Sequence, residues 1–235
     1  MLTAILLAGG FGTRVKALYP DLPKPMIPVA GEPFLEWALR YWAREGVTRF
    51  IISLGHLAEV AETWLAARPA GSIEVRSIVE REPLGTAGGA LLAAAAVPGA
   101  DPLIVANADS LVIADTRPAL ALLARPDVDA VLLGVRVPDA ARYGTLVTNG
   151  DGRLTGFREK RPGVGVINAG VYFFRRRALD WFPPQRPLSF ETDVFPALIA
   201  RGAHLAVAAS DAPFLDIGTP ESLAAAETFI RTNLP

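Results

Sequence analysis

Apolar residues come in short blocks along this chain, and the spacing inside the blocks alternates between two kinds. Residues 4–7 are continuously apolar and run straight into Gly9, Gly10 and Gly12, which predicts a buried strand breaking into a loop. Over 33–45, Leu35, Leu39 and Trp42 recur near one helical face, and Gly46 marks the end of that helix. A strand over 49–54, a helix over 57–67 and a strand over 73–79 follow. Residues 85–96 open with glycine and continue in alanine and leucine, so a loop feeds a helix there. A strand over 103–106 stops at Asn107-Ala108-Asp109, and a helix over 119–124 precedes a strand over 130–135. Strands alternating with helices imply an α/β fold, with a parallel sheet covered on both faces. In such a sheet the ligand site lies beyond the carboxyl ends of the strands.

The beat changes after residue 135. Segments 145–147 and 154–159 flank Asn149-Gly150-Asp151-Gly152, a hairpin signal. A strand is expected over 166–175, a helix over 190–201 closed by Gly202, and a short strand over 205–208. Residues 214–218 lead into Thr219-Pro220-Glu221, an N-cap followed by a first-turn proline, and the last helix runs to about Ile230. No linker, repeat or low-complexity tail divides the chain. The expectation is one domain over 1–235, in two parts at 1–135 and 136–235, with an elaboration near 143–187 on the second.

Composition narrows the function class. The 235 residues are 51% apolar, enough for a sizeable core. The 23 basic and 24 acidic residues nearly cancel, so nucleic acid is not an expected partner. Cysteine is absent, which removes disulfides, thiolate chemistry and cysteine-built zinc sites. The apolar start has no cation before Arg14, and the apolar run at 90–97 is too short to cross a bilayer. A cytoplasmic protein without a membrane partner is the expectation. His56 and His204 sit in no metal-ligand spacing, and the four tryptophans read as packing or interface residues.

The chemistry concentrates after the first strand. Leu7-Ala8-Gly9-Gly10-Phe11-Gly12-Thr13-Arg14 is followed by Pro23-Lys24-Pro25. Glycines allow close backbone approach, and successive N–H groups in such a turn can form an anion-binding nest. Arg14 and Lys24 add two cations, and the flanking prolines stiffen the base of Lys24. The pattern is neither a dinucleotide fingerprint, since its third glycine is missing, nor a Walker A loop. It suits a polyphosphate.

These residues, with Met26, Pro28, Val29, Gly31 and Pro33, resemble the signature of the sugar-1-phosphate nucleotidylyltransferases, also called nucleotide-sugar pyrophosphorylases. The resemblance implies a Rossmann-like three-layer α/β/α sandwich with a mostly parallel mixed sheet, of the nucleotide-diphospho-sugar transferase type. It makes 1–135 the nucleotide-binding part and 136–235 the sugar-binding part with closing helices. It implies that Leu7, Ala8, Gly9, Gly10, Gly12 and Thr13 wrap a nucleoside triphosphate, that Arg14 holds its β- and γ-phosphates, and that Lys24 contacts phosphates at the reacting centre.

Glu80-x-x-Pro83-Leu84-Gly85-Thr86 resembles the family's base-binding segment. Guanine presents two adjacent donors, N1–H and N2–H, that match a carboxylate, so Glu80 favours GTP. Glu82 is close enough in sequence to share that role. Gly85 lets the base lie against backbone. Asp109, in an Asn-Ala-Asp turn where the family usually has glycine at the middle position, and Asp216, in Phe214-Leu215-Asp216-Ile217-Gly218-Thr219-Pro220, resemble the two Mg²⁺ aspartates. Glu159-Lys160 resembles the sugar-phosphate motif, with Arg161 inserted before Pro162. Lys160 then grips the sugar phosphate and Glu159 accepts from its hydroxyls. Tyr143, Gly144, Asn168 and Glu191 are the remaining sugar-side candidates.

The reaction implied is a sugar 1-phosphate plus GTP, giving a GDP-sugar and pyrophosphate, with Arg14, Lys24, Lys160 and Asp109 as catalytic groups. Within the family, the segments at 80–86, 168–170 and 216–220 most resemble D-glycero-α-D-manno-heptose 1-phosphate guanylyltransferases. Mannose-1-phosphate guanylyltransferase and N-acetylmuramate 1-phosphate uridylyltransferase are the alternatives. No hexapeptide repeat follows residue 202, so a β-helical acetyltransferase extension is not expected. Readings from other classes are a non-catalytic nucleotide-sugar sensor on the same fold, and a nucleotidyltransferase for an alcohol phosphate such as phosphocholine. The expected partners are GTP or another nucleoside triphosphate and a sugar 1-phosphate, with a homodimer as one option for assembly.

Overall fold

The computed structural model describes residues 1–10, 12, 14–69, 71–158 and 162–234. In chain order the first half carries β1 (Leu2–Ala8), β2 (Pro28–Val29), β3 (Glu32–Pro33), α1 (Phe34–Arg44), β4 (Val47–Leu54), α2 (Ala58–Ala67), β5 (Glu74–Val79), α3 (Thr86–Ala95), β6 (Leu103–Asn107), β7 (Ser110–Val112) and α4 (Arg117–Ala124). The second carries β8 (Ala130–Val137), β9 (Thr145–Thr148), β10 (Leu154–Arg158), β11 (Gly165–Phe174), α5 (Phe195–Ala200), β12 (Leu205–Ser210), β13 (Phe214–Asp216), α6 (Pro220–Ala224) and α7 (Ala226–Asn233).

Among the described residues the main sheet has nine strands. Strands β5, β4, β1 and β6 run parallel in that order. β11 then inserts antiparallel between β6 and β8, and β12 continues parallel to β8. The hairpin β9–β10 pairs alongside the amino-terminal half of β11, where Thr145 meets Ile167. The sheet is therefore mixed but mostly parallel, as expected. The antiparallel direction of β11 could not be read from the apolar run at 166–175, because such a run carries no strand direction.

Both faces of the sheet are buried, which is why its strands lack simple polar alternation. Ala4, Leu6 and Ala8 of β1 face a cluster with Phe34, Leu35, Leu39 and Trp42 of α1, Leu123 of α4 and Ile230 of α7. Ile5 faces the opposite cluster, with Ala87, Ala90 and Ala94 of α3 and Phe195 and Leu198 of α5. Phe34, Leu35 and Leu39 are fully buried, each stabilising the fold by about 1.5–3 kcal/mol through removal of apolar area from water. The alanines of α3 let that helix lie close on the sheet.

Two expected helices are divided. The segment expected as one helix over 190–201 begins with a π-helical turn, Phe190–Val194, before α5. Pro196 lacks the N–H for a regular α-helical bond there, and the wider turn accommodates it. The last helix is split into α6 and α7 at Ala225. Thr219 does cap α6: its Oγ1 accepts from Ser222 N at 3.2 Å, with Pro220 in the first turn.

The register sets the functional edge. Leu7 pairs with Ser53 on one side and Asn107 on the other, and Ser53 pairs with Ile78. The carboxyl ends of four parallel strands therefore deliver Gly9, Gly55, Glu80 and Asn107–Asp109 side by side. A two-stranded ribbon, β7 with β13, pairs Ser110 with Asp216 and brings that distant carboxylate to the same edge.

Candidate active site

Two hollows of about 200 and 290 Å³ open at this edge and share Leu7, Gly10 and Asp109 in their walls. The first is completed by Ala8, Gly12, Arg14, Lys24, Pro25 and Gly218. The second is completed by Gly9, Glu80, Pro83, Gly85, Thr86 and Asn107. The sequence-predicted phosphate loop and base segment thus meet around one cleft. Gly12 has φ +57°, a conformation that glycine adopts without strain, and it packs over the Lys24 side chain. Thr13 lies outside the described residues, as do Phe11 and the sugar-phosphate motif residues Glu159, Lys160 and Arg161.

Lys24 is the centre of the first hollow. It begins a short 3₁₀ turn, Lys24–Met26, entered from Pro23 in extended conformation. Its Nζ lies 2.7 Å from Asp109 Oδ2 and 3.3 Å from Asp216 Oδ1. The lysine side chain is only 10% exposed, so this is not a solvated surface pair. Gly218 N donates to Asp216 Oδ1 at 2.8 Å, and Ile217 N donates to Asp109 O at 3.1 Å, which locks the ribbon against the turn. Any Cβ on Gly218 would stand 2.8 Å from Asp216 Oδ1 and 3.0 Å from Lys24 Nζ.

This cluster tests whether the site suits a divalent cation. Among the described residues no group of three or more histidine, cysteine, aspartate or glutamate side chains gathers to enclose a metal. What exists is a pair of carboxylates converging on one positive charge, the lysine ammonium. That donor set suits a hard cation that draws its other ligands from phosphate oxygens and water.

The second hollow is built around a carboxylate. Glu80 follows β5, with its N–H donating to Leu54 O at 2.8 Å. Its Oε1 accepts from Ser53 Oγ at 2.9 Å and its Oε2 from Leu84 N at 3.1 Å. Gly85 has φ +76°, and a Cβ there would meet Leu188 O at 2.5 Å, so the loop requires glycine twice over. Thr86 Oγ1 accepts from Phe190 N at 3.2 Å, tying the base-side loop to the second half of the chain.

On the other side, Tyr143 packs edge-on to Phe214 with ring centres 5.6 Å apart. Burial pushes its phenol above the ordinary range, and the Asp216 carboxylate adds to the rise. Gly144 O accepts from Asn168 N at 3.1 Å. The Asn168 side chain is already committed. Its Nδ2 donates to Tyr172 Oη at 2.9 Å and to Glu191 Oε1 at 2.8 Å, and its Oδ1 accepts from Gly170 N at 3.1 Å. Both N–H donors of this side chain are therefore spent within the protein. What the pair still offers is acceptor capacity, chiefly on Glu191.

Several residues in or behind this site were not among the candidate site residues. Ser53, Asn107, Tyr172 and Gly218 support or line the cleft. Ser53 carries a faint signal, a lone hydroxyl in the apolar run Phe50-Ile51-Ile52-Ser53-Leu54. Tyr172 carries none, since an aromatic in a strand is ordinary.

The sequence pattern of the nucleotidyl transferase family matches residues 3–233. The chain belongs to that family. This nucleotidyltransferase is 36% identical over 221 residues to a mannose-1-phosphate guanylyltransferase of Mycobacterium tuberculosis, covering 93% of the chain and 61% of that relative. It is 33% identical over 219 residues to a D-glycero-α-D-manno-heptose 1-phosphate guanylyltransferase of Aneurinibacillus thermoaerophilus, covering 93% of the chain and 94% of that relative. Its fold superposes on the crystal structure of HddC from Yersinia pseudotuberculosis complexed with GMP-PN, with a TM-score of 0.86, 33% identity, and coverage of 97% and 99% of the two chains. The nucleotidyltransferase thus has the expected fold, a mixed, mostly parallel sheet between helical layers. No helix among its described residues is long and apolar enough to cross a membrane.

Proposed function

We propose that this nucleotidyltransferase transfers GMP from GTP to D-glycero-α-D-manno-heptose 1-phosphate, releasing pyrophosphate and forming GDP-heptose. The observation that carries the nucleotide half of the reading is the Glu80 carboxylate, held at the wall of the second hollow beside the glycine loop. Relatives named for the heptose reaction, matched over nearly their whole length, support the choice of sugar. The mannose-1-phosphate reading is the second, favoured by the 36% identical relative.

A phosphate oxygen of the sugar 1-phosphate attacks the α-phosphorus of GTP in line. The new O–P bond forms as the α–β bridging bond breaks, and its electron pair leaves with pyrophosphate. The attacking oxygen is already an anion, so no general base is required. The barrier is charge repulsion and alignment. Arg14 and Lys24 supply fixed positive charge along the first hollow, and backbone N–H groups of the glycine loop receive the leaving pyrophosphate. Lys160 neutralises the phosphate of the incoming sugar. Asp109 and Asp216 would hold a divalent cation, with Mg²⁺ proposed, which withdraws charge from phosphate oxygens when bound. Glu191, held by Asn168, accepts from sugar hydroxyls, with Tyr143, Gly144 and Glu159 completing that side. A cytoplasmic setting goes with a reaction that draws on nucleoside triphosphate.

The test is pyrophosphate release in a matrix of GTP, UTP, CTP and dTTP against heptose, mannose, glucose and N-acetylmuramate 1-phosphates. Fastest release with GTP and the heptose phosphate is expected. A maximum with mannose 1-phosphate would select the second reading, and release from no pair would overturn both.

A further inference from the structure

Ser53 is a fully buried hydroxyl in the middle of an apolar strand end. A hydroxyl there costs free energy unless it is bonded, and its bond goes to Glu80 Oε1, at 2.9 Å. Leu84 N holds the other oxygen at 3.1 Å. The slot around the carboxylate exists only because two neighbours are glycines. A Cβ on Gly89 would lie 2.5 Å from Glu80 Oε1 and 2.9 Å from Ser53 Oγ, and one on Gly9 would lie 2.8 Å from the same carboxylate oxygen. Each carboxylate oxygen accepts two hydrogen bonds. With one spent on each side, one acceptor on each oxygen is left, at a spacing that matches two adjacent donors.

We infer that Ser53, in the slot kept open by Gly89, is a positioning residue that fixes the Glu80 carboxylate and so sets the selection of guanine over other purines. The inference rests on the reading of Glu80 as the guanine-binding group. Its physical content is preorganisation. An unrestrained glutamate must freeze its torsions when the base arrives, whereas this one has already done so. The two donors that tell guanine apart must both find an oxygen in place, so a small rotation of the carboxylate costs selectivity before it costs general nucleotide binding.

GTP and ITP differ only at the 2-amino group, and without an acceptor sugar phosphate no transfer occurs. Their binding to wild type, Ser53→Ala and Gly89→Ala, by calorimetry with Mg²⁺ present, therefore reads the carboxylate's placement directly. Wild type is expected to prefer GTP by about tenfold, the worth of one hydrogen bond to a charged acceptor. Ser53→Ala should reduce that preference to about twofold, mainly through weaker GTP binding. Gly89→Ala keeps the hydroxyl but pushes on the movable end of Glu80, and should narrow the ratio in the same direction. It carries the test alone if Ser53→Ala does not fold. A merely structural role for Ser53 weakens both nucleotides equally, and an unchanged ratio in the variants overturns the inference. A wild type that binds GTP and ITP equally overturns the guanine reading itself, and the assignment of Ser53 with it.

Discussion

The Glu80–Lys24 side and the Asn168–Glu191 side, called the nucleotide wall and the sugar wall after their proposed roles, fix their polar groups by different means. On the nucleotide wall the work is done by backbone and close approach. Glycines 9 and 89 bring main chain against Glu80, Gly12 against Lys24 and Gly85 against Leu188, and the supporting residues are strand ends placed by the register of a parallel sheet. On the sugar wall it is done by side chains. Asn168 reaches a glutamate 23 residues away and a tyrosine on its own strand. Beneath them lies a raft of rings, with Phe174 and Phe190 stacked at 5.7 Å, Phe190 and Phe195 at 5.5 Å, and Tyr172 tilted against Phe190 at 4.8 Å. A backbone-built wall tolerates little substitution. A side-chain wall can change its polar tips while the raft stays whole, which suits a fold that keeps its nucleotide chemistry and varies its acceptor.

The sharpest way to break the contrast is at Asp109. In Asp109→Ala, pyrophosphate release should fall by about a thousandfold or more, because a partner for Lys24 and one of the two candidate cation carboxylates go together. Thermal unfolding should stay close to wild type, since Asp109 is a partly exposed turn residue at the mouth of the cleft. Turnover near the wild-type rate in the folded variant would sink its assignment.

Lys24 sharpens the same wall in the opposite sense. If its ammonium stands in for a cation, Lys24→Met uncovers two carboxylates. Binding of Mn²⁺ without nucleotide, followed by electron paramagnetic resonance, should then strengthen by about tenfold over wild type, since one competing unit charge at contact distance is gone. Turnover falls as the phosphate-facing charge is lost. Equal Mn²⁺ affinity in the two proteins would show that the lysine occupies no cation position.

Legibility in the sequence followed the same division. The glycine loop, Glu80 and Asp109 were visible because each follows an apolar strand run, and Lys24 because two prolines flank it close after the loop. The meeting of Asp216 with Asp109 depends on pairing between β7 and β13, about a hundred residues apart, and only a family resemblance could suggest it. Ser53 was hidden because its meaning lies in a contact across β4 to a loop beyond β5. Asn168 was nameable as a sugar-side candidate, but its internal bonds to Tyr172, Glu191 and Gly170 were not, since motif resemblance does not say which of its donors the fold has already spent. The antiparallel placement of β11 was likewise invisible, because burial on both faces erases the pattern that would reveal direction.

The sugar wall should respond more gently. Asn168→Ala frees Glu191 and leaves Tyr172 Oη without its donor, yet touches nothing in the two nucleotide-side hollows. The expected result is a rise of about fivefold to tenfold in KM for the sugar 1-phosphate, the scale of one lost hydrogen bond, with KM for GTP held within about twofold. Equal rises in both constants would mean that the walls are coupled through Thr86 and Phe190 rather than separable.

The smallest effect lies underneath, at Tyr172. Burial is the main cause that drives its phenol well above the ordinary tyrosine range, with the Glu191 carboxylate adding to the rise and the Asn168 hydrogen bond opposing it. Tyr41, buried against the sheet near Glu45, is raised for the same leading reason. In both cases the folded protein keeps a proton that the unfolded chain gives up near its ordinary value of about 10. The stabilisation is thus fully present below about pH 10 and drains away as the pH rises from there toward the folded-state value. Tyr172→Phe removes the hydrogen bond with Asn168 and should cost about 0.5–1.5 kcal/mol near neutrality, with little change in turnover. It also removes one of the three phenols, with Tyr41 and Tyr143, that burial holds above the ordinary range. The gap in melting temperature between wild type and variant should therefore be constant from about pH 7 to 9 and shrink above about pH 10, with Tyr41 and Tyr143 preserving part of the alkaline slope. A gap that stays constant through about pH 11 would mean that the phenol ionises as readily in the fold as out of it, and that the raft beneath the sugar wall is open to water.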